Sequence, residues 1–116
     1  MEKIILAEPA VGIDIGSTTA KLVIIKNGDI VYRRYERHFS QVRQKTLELL
    51  RDAADFLKGE SFSAAISGSA GLGLARVADI PFVQEVFATS ETVKKLAPDT
   101  SSVIELGGED AKVIFF

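Results

Sequence analysis

The chain has 116 residues, of which 47% are hydrophobic and 26% charged, and its 14 Lys and Arg against 16 Asp and Glu give a formal net charge of −2. These proportions indicate one globular domain, and the near-neutral charge argues against binding nucleic acid or a membrane through a basic face. The sequence contains no cysteine, which excludes a disulfide scaffold and thiolate ligation of zinc or an iron–sulfur cluster within these residues.

The first third of the chain predicts three strands. Residues 11–16 and 20–26 are rich in β-branched and apolar residues, and residues 29–37 alternate apolar with polar ones. Asn27-Gly28 stands between the second and third strands, and this pair is a strong signal of a type I′ turn, in which both central residues need positive φ. We therefore expect the chain to begin with a three-stranded antiparallel meander.

A long amphipathic helix is predicted to follow. Ser40 is the expected N-cap, the helix is expected to run to about residue 58, and Gly59 is its expected C′ residue. Apolar residues recur at spacings of three and four and form one stripe: Thr46, Leu49, Leu50, Ala53, Phe56 and Leu57.

The second half of the chain predicts shorter elements. We expect a strand over 62–67, a glycine-rich turn over 68–73, a helix over 72–78, a helix capped by Thr89 or Ser90 and ending near Ala97, and strands over 102–106 and 111–116. This order predicts an α/β fold with a mixed sheet of five to six strands and flanking helices. Because the chain stops inside an apolar strand, we expect it to be the first lobe of a longer protein.

Apolar segments that could target the chain are short. The longest uninterrupted apolar runs span about four residues, too few for a transmembrane helix. The N-terminal apolar stretch ends at Glu8-Pro9 and is too short for a signal peptide. We expect a cytoplasmic protein.

Two acidic strand ends, each followed by a bend of small residues, carry the predicted chemistry. They are Asp14-Ile15-Gly16-Ser17-Thr18-Thr19 and Glu105-Leu106-Gly107-Gly108-Glu109-Asp110. Small residues expose backbone N–H groups, which bind phosphate oxygens, and the hydroxyls of the first segment add further donors. A carboxylate is tolerated beside a phosphate where it holds Mg²⁺, so the two segments predict a site for Mg²⁺ and phosphate.

Each bend alone also fits an ordinary hairpin, because Asx and Ser/Thr turns use the same residues. For Gly107-Gly108 alone, the hairpin is the favoured interpretation. The co-occurrence of two such bends, about ninety residues apart, favours phosphate binding. This interpretation requires Gly16 and Gly107 to approach the same ligand.

These motifs resemble those of the sugar kinase, actin and heat-shock chaperone ATPases, which bind ATP between two ribonuclease-H-like lobes. Within that superfamily, the chain is similar to the activators of 2-hydroxyacyl-CoA dehydratases and the related benzoyl-CoA reductase ATPase subunits. Residues 12–21 are similar to the opening motif of that family, residues 104–114 to its second motif, and residues 67–71 fall at another of its glycine turns. The resemblance implies an actin-like ATPase lobe with a ribonuclease-H-like fold.

The resemblance also implies roles for individual residues. Asp14 would organise Mg²⁺, and Glu105 or Glu109 would orient the attacking water as catalytic residues. Lys21 either faces the phosphates or is a solvated strand lysine, and Asp110 is an alternative cap of its turn. The phosphates of ATP would be bound by Gly16, Ser17, Thr18, Thr19, Gly107 and Gly108.

The chain departs from the family pattern in three places: Glu105 replaces the usual Asp, Glu109 replaces the usual Gln, and the stretch over residues 84–89 lacks the family's histidine. The family's cluster cysteines lie beyond the second motif, so an iron–sulfur cluster would belong to the rest of a longer parent. The resemblance implies a two-lobed parent that hydrolyses ATP and drives a low-potential electron to a dehydratase or reductase partner, with a homodimer as one possible assembly. Residues 1–116 are expected to form a single lobe that binds nucleotide weakly or not at all, because they supply one side of a cleft.

Two other functions stay open. In a metal-dependent nuclease of the ribonuclease H type, Asp14, Glu48 and Asp110 would form a carboxylate cluster for two metals. A non-catalytic, actin-like assembly module is the other alternative. Glu48 by itself is interpreted as a solvated helix residue, and His38 as a surface or capping residue. We expect no nucleic acid and no membrane among the partners.

Overall fold

The computed structural model describes residues 7–107 and 110–116. It contains ten elements in chain order: β1 (Ala10–Ile15), β2 (Thr19–Lys26), β3 (Asp29–Arg37), α1 (Val42–Ala53) with a 3₁₀ turn after it (Ala54–Phe56), β4 (Ser63–Ser67), α2 (Leu72–Ala78), α3 (Glu85–Leu96), β5 (Ser102–Leu106) and β6 (Ala111–Phe115). The mixed α/β class predicted from the sequence is confirmed.

The larger sheet contains four strands in the order β3-β2-β1-β4. The pairs β1–β2 and β2–β3 are antiparallel, and β4 is parallel to β1. Asn27 and Gly28 have φ of 52° and 80°, as a type I′ turn requires. The predicted antiparallel meander is therefore confirmed.

The single sheet of five to six strands is divided, because β5 and β6 form a separate antiparallel pair. The free edge of β4 is occupied at Ile66, whose N–H donates to the carbonyl of Pro81 at 2.9 Å and whose carbonyl accepts the N–H of Val83 at 2.8 Å. Residues 81–83 thus use part of the β4 edge, and β5 pairs with β6 in a separate sheet.

The core lies between the sheet and α1. Alternate residues of β1 and β2 are buried, as the two-residue period of a strand dictates, and they pack with Leu49, Ala53 and Ile66. Burying one such aliphatic side chain stabilises the fold by roughly 1.5–3 kcal/mol. Most of the predicted stripe of α1 is buried or packed on this core, and the exception is Phe56, which is 42% exposed.

The predicted bounds of α1 are wrong at both ends. Ser40 has φ of 62° and follows Phe39 at 50°, so the chain is still turning there and Gln41 is the N-cap, without a side-chain cap bond. At the other end the helix tightens into the 3₁₀ turn after Ala53. Gly59 has the positive φ of 72° expected of it, but it lies beyond the end of the helix.

The helix α3 begins earlier than predicted. Gln84 is extended and serves as its N-cap, whereas Thr89 and Ser90 lie inside the helix. The Ser90 hydroxyl donates to the carbonyl of Val86 at 2.7 Å, one turn earlier, so it satisfies no N-terminal donor. None of the helices within residues 7–107 and 110–116 has the length and apolar character needed to span a bilayer.

Candidate functional site

A cleft of about 950 Å³ lies where the β1–β2 turn faces α3 and the β5–β6 turn. Both predicted phosphate segments contribute to its wall, so Gly16 and Gly107 face the same space. The predicted site residues that line the cleft are Asp14, Gly16, Ser17, Thr18, Thr19, Lys21, Glu105 and Gly107. Gly108 and Glu109 lie outside the described residues.

The turn between β1 and β2 is closed by a hydrogen bond from the N–H of Gly16 to the carbonyl of Thr19 at 2.9 Å. The carbonyl of Thr18 accepts the N–H of His38 at 3.1 Å, and the carbonyl of Gly16 lies 2.8 Å from Nε2 of the same residue. Within the described chain, none of the backbone hydrogen bonds of this turn uses the N–H of Ser17 or Thr18. These two donors are therefore free to bind an anion.

Asp14 lies one residue before the end of β1 and lines the cleft, and its two carboxylate oxygens have different surroundings. Oδ2 accepts a hydrogen bond from Nζ of Lys21 at 3.2 Å, whereas Oδ1 is buried without a hydrogen-bond partner among the described residues. Lys21 also lies 5.4 Å from the ring centroid of Tyr35 and lines the cleft. Lys21 therefore lies on the wall of the cleft, and its role toward a phosphate stays a prediction.

A second glycine turn supports the position of Asp14 from beside it. Gly68 has φ of 101°, and a Cβ there would lie 2.2 Å from the carbonyl oxygen of Ile15 and 2.6 Å from Oδ1 of Asp14. Only glycine fits such a close approach at positive φ. The turn is fixed to the end of β1 by the N–H of Ala70, which donates to the carbonyl of Ile15 at 3.0 Å.

The residues of the first turn fit Mg²⁺ that arrives with a phosphate ligand. In such sites Mg²⁺ takes one or two carboxylates together with water and phosphate oxygens, rather than a cage made by the protein alone. The unpartnered Oδ1 of Asp14 and the hydroxyls of Ser17 and Thr18 supply oxygens of this kind. In the part of the chain that the structure describes, no three His, Asp or Glu side chains are grouped to hold a metal by themselves.

The opposite wall carries a network of charges around Lys112. Its Nζ lies 2.9 Å from Glu85, 3.3 Å from Asp110 and 3.9 Å from Glu105, and the hydroxyl of Thr89 donates to the other oxygen of Glu105 at 2.8 Å. The hydrogen bond to Glu85 is the main cause that raises the pKa of Lys112 above its ordinary value. The network connects α3 to the β5–β6 hairpin.

The turn between β5 and β6 is closed by Gly107 and Asp110. The N–H of Gly107 donates to the carbonyl of Asp110 at 2.8 Å, and a Cβ on Gly107 would lie 3.1 Å from Oδ1 of Asp110. The turn thus has little room for a side chain at residue 107.

Several cleft residues were missed from the sequence. Glu85 and Thr89 were not predicted as site residues, because helix α3 brings them to the cleft from a separate segment. Lys112 lies within the second motif, over residues 104–114, but was given no role there. His38, expected at the surface or as a cap, is only 4% exposed. The surface interpretation was wrong because the His38 ring packs beneath the first turn, a contact that links residues far apart in sequence.

The carboxylate cluster of the nuclease alternative does not form around Glu48. This residue pairs with Lys45 on α1 at 2.8 Å and does not line the cleft that contains Asp14 and Asp110. A two-metal nuclease centre needs its carboxylates close enough to share the metals, so the positions of these three residues disfavour that alternative.

The structure is similar to solved proteins of one fold. It matches the activator of the 2-hydroxyisocaproyl-CoA dehydratase from Clostridium difficile, solved with bound ADPNP, at 28% identity and a TM-score of 0.74, over 91% of this chain and 40% of that one. It matches component A of the (R)-2-hydroxyglutaryl-CoA dehydratase of Acidaminococcus fermentans at 24% identity and a TM-score of 0.73, over 91% of this chain and 42% of that one. A type II variant of the Aquifex aeolicus Ppx/GppA phosphatase is more distant, at 16% identity and a TM-score of 0.55, over 92% of this chain and 47% of that one.

These similarities define the class, since the chain has the actin-like ATPase fold. More particularly, its structure resembles those of the dehydratase activators, so the resemblance predicted from residues 12–21 and 104–114 is confirmed. No protein-family model and no curated protein matches the sequence. The chain spans 40–42% of the length of the two activators.

Proposed function

We propose that the chain forms the phosphate-binding part of an ATPase that activates a 2-hydroxyacyl-CoA dehydratase or a similar reductase. One observation carries the proposal: two glycine turns from opposite ends of the sequence face one cleft of about 950 Å³. A volume of this order suits a ligand larger than a metal ion or a single phosphate. The similarity to an activator solved with ADPNP supports a nucleoside triphosphate as that ligand.

In this proposal, the first turn binds phosphate oxygens through the N–H groups of Ser17 and Thr18 and through neighbouring hydroxyls, including that of Thr19. Gly16 keeps the space above the turn open, because a Cβ there would lie 3.5 Å from Nζ of Lys21, inside the cleft. Gly107, with Gly108 beside it in sequence, supplies the second phosphate clamp. Backbone N–H groups exposed by small residues are well suited to this task.

The charge of the cleft makes a divalent cation part of the proposal. Among the described lining residues, the carboxylates of Asp14, Glu85, Glu105 and Asp110 outnumber the ammonium groups of Lys21 and Lys112. Such a cleft repels a bare triphosphate. Asp14 would hold Mg²⁺, which would supply positive charge to offset that of the triphosphate, and Lys21 is close enough to share the same carboxylate.

Glu105 is the proposed residue that orients the attacking water, with Glu109 as the second candidate. The Thr89 hydroxyl fixes one oxygen of Glu105 at 2.8 Å, and the other lies 3.9 Å from Lys112. A carboxylate held at the wall of the cleft in this way can accept a proton or a hydrogen bond from water. In a longer parent, a second lobe would complete the cleft, and a change of lobe angle between the ATP and ADP states would drive the partner.

The parent's partner would be a cytoplasmic dehydratase or reductase that receives a low-potential electron. The similarity to two dehydratase activators supports this assignment. An iron–sulfur cluster, if the parent has one, would lie outside these 116 residues, because they contain no cysteine. Assembly as a homodimer belongs to the same proposal.

Titration of the ¹⁵N-labelled chain with Mg²⁺ and ATP, followed by NMR, tests the proposed site at millimolar ligand. We expect the amide signals of Ser17 and Thr18 to shift, and the shifts to disappear when EDTA removes Mg²⁺. In Gly16→Ala we expect about tenfold weaker binding, the loss of roughly 1.4 kcal/mol of phosphate contacts. Gly73→Ala is the matched control, since a Cβ at Gly73 meets nothing within 4 Å.

Two results would contradict the proposal. One is a set of shifts that leaves the β1–β2 turn unaffected at millimolar Mg²⁺ and ATP. The other is equal binding by Gly16→Ala and Gly73→Ala, because only the first substitution places a methyl group in the cleft.

A further inference from the structure

His38 is a buried polar residue whose role is not explained by the phosphate contacts. It is 4% exposed and follows directly after β3, next to the β1–β2 turn. Both of its ring nitrogens contact backbone groups, and its own N–H donates to the carbonyl of Thr18 at 3.1 Å. Ring and backbone of one residue therefore contact the same turn.

The two ring contacts determine which nitrogen carries the proton. The N–H of Ser40 can only donate, so Nδ1, at 3.1 Å, accepts. The carbonyl of Gly16 can only accept, so Nε2, at 2.8 Å, donates. The ring is thus a neutral imidazole with its hydrogen on Nε2, and neither nitrogen is left over for a metal.

The backbone after His38 adopts an unusual conformation that makes these contacts possible. Phe39 and Ser40 both have left-handed φ, 50° and 62°, and consecutive non-glycine residues rarely adopt it. The N–H of Gln41 donates to the carbonyl of His38 at 2.8 Å and closes this bend. The bend places the N–H of Ser40 on Nδ1, which fixes the orientation of the ring.

The contacts of His38 orient the carbonyl groups of the β1–β2 turn. The carbonyls of Gly16 and Thr18 are bonded to His38, and that of Thr19 is bonded to the N–H of Gly16. A carbonyl oxygen that pointed into the cleft would repel a phosphate. With these carbonyls engaged elsewhere, the N–H groups of Ser17 and Thr18, which bond to no carbonyl among residues 7–107 and 110–116, are available to the cleft.

We propose that His38 is a positioning residue for the phosphate turn: its Nε2–H holds the carbonyl of Gly16, and thereby keeps the turn in the conformation that presents the N–H groups of Ser17 and Thr18. The meaning of this conformation for nucleotide binding rests on the proposed function. The positioning of the turn by His38 does not depend on the proposed function, and it can be measured on the free protein.

Two substitutions separate the two ring contacts. In His38→Gln, the side-chain NH₂ can take the place of Nε2–H and donate to Gly16, while the acceptor for Ser40 is lost. In His38→Asn, the shorter amide can accept from Ser40 but cannot reach Gly16. Both remove the ring and leave an uncharged amide, so each is the matched control of the other.

The free protein supplies the first two measurements. The ¹⁵N shifts of the His38 ring are expected to show a neutral imidazole protonated at Nε2. Hydrogen exchange at the N–H of Gly16, which is bonded across the turn, is expected to be about tenfold faster in His38→Asn than in wild type and nearly unchanged in His38→Gln, because the hydrogen bond to the carbonyl of Gly16 is lost only in His38→Asn. A ring protonated at Nδ1, or equal exchange in the two variants, would overturn the proposal.

The third measurement is the affinity for ATP with Mg²⁺, by the same NMR titration. Affinity is expected to fall about tenfold in His38→Asn and to be restored in His38→Gln. Equal affinity in wild type and His38→Asn would overturn the proposal. If wild type binds no nucleotide, the proposed function fails while the ring shifts and the exchange of Gly16 still decide the role of His38.

Discussion

Replacement of Gly68 by alanine is expected to destabilise the chain severely, because the residue combines positive φ with close contact. Its φ is 101°, and a Cβ would lie 2.2 Å from the carbonyl oxygen of Ile15. Gly59 also has a positive φ, of 72°, yet a Cβ there meets nothing within 4 Å. The pair therefore separates the cost of backbone strain from the cost of a collision.

The expected magnitudes follow from these two terms. Left-handed backbone costs a residue with a Cβ about 1–2 kcal/mol, and the smaller entropy of the unfolded chain returns part of it, so Gly59→Ala should cost about 1 kcal/mol. Relief of the collision in Gly68→Ala must move the turn away from Ile15 and break the hydrogen bond from Ala70, which adds roughly 2 kcal/mol. At about 4 °C per kcal/mol, the melting temperatures should fall by about 4 °C and about 12 °C respectively.

Thermal unfolding followed by circular dichroism measures both variants under the same conditions. Urea unfolding at 25 °C supplies the free energies independently, provided that the slope of free energy against urea is unchanged. Equal destabilisation by the two substitutions would refute the reasoning. It would mean that backbone strain alone decides the loss of stability, and that the collision of a Cβ at residue 68 with the carbonyl oxygen of Ile15 costs no free energy.

Two further predictions concern other elements. Asp79 is the C-cap of α2 and has φ of 54°, so its backbone is strained and its carboxylate lies at the negative end of a helix. Asp79→Gly should therefore raise the free energy of unfolding, measured in urea, by about 1 kcal/mol. Asp79→Asn, which removes only the charge, should raise it by less. If both variants unfold like wild type, this account of the helix end is wrong. Ion pairs raise the pKa of Lys112, so their stabilisation is complete below the ordinary lysine pKa and is lost as the pH rises through the higher value of the folded state. Lys112→Met should therefore reduce stability by less than about 1 kcal/mol near neutral pH, since Lys112 is partly exposed, and the difference from wild type should vanish at strongly alkaline pH; a difference that persists there would indicate a packing effect.

The predictions from sequence succeeded where the signal is local. The turn at Asn27-Gly28, the helix over 72–78 and the strand over 102–106 form at the predicted residues. Each depends on the conformational preference of a few neighbouring residues. The cap at Ser40 was wrong because preference alone does not show that the chain turns through two left-handed residues before α1 begins.

The candidate site was predictable in its glycine turns and not in its surroundings. Asp14 and Gly107 belong to motifs whose residue types suit phosphate and Mg²⁺, so the sequence alone is enough to predict them as site residues. Glu85, Thr89 and His38 carry no such pattern. They reach the cleft because α3 and the bend after β3 pack beside it, and packing partners distant in sequence are decided by the whole fold.

Sequence alone determined the strand and helix types, the antiparallel meander and the two bends of small residues, since backbone preference and hydrophobic period act over short stretches of chain. Tertiary structure alone decided that β4 receives residues 81–83 at its edge, that β5 and β6 pair separately, and that His38 is buried beneath Gly16. The physical reason is that each of these outcomes is a competition for a limited partner, whether a free strand edge or an unsatisfied carbonyl. Such a competition is resolved only when all the competing segments are present in three dimensions.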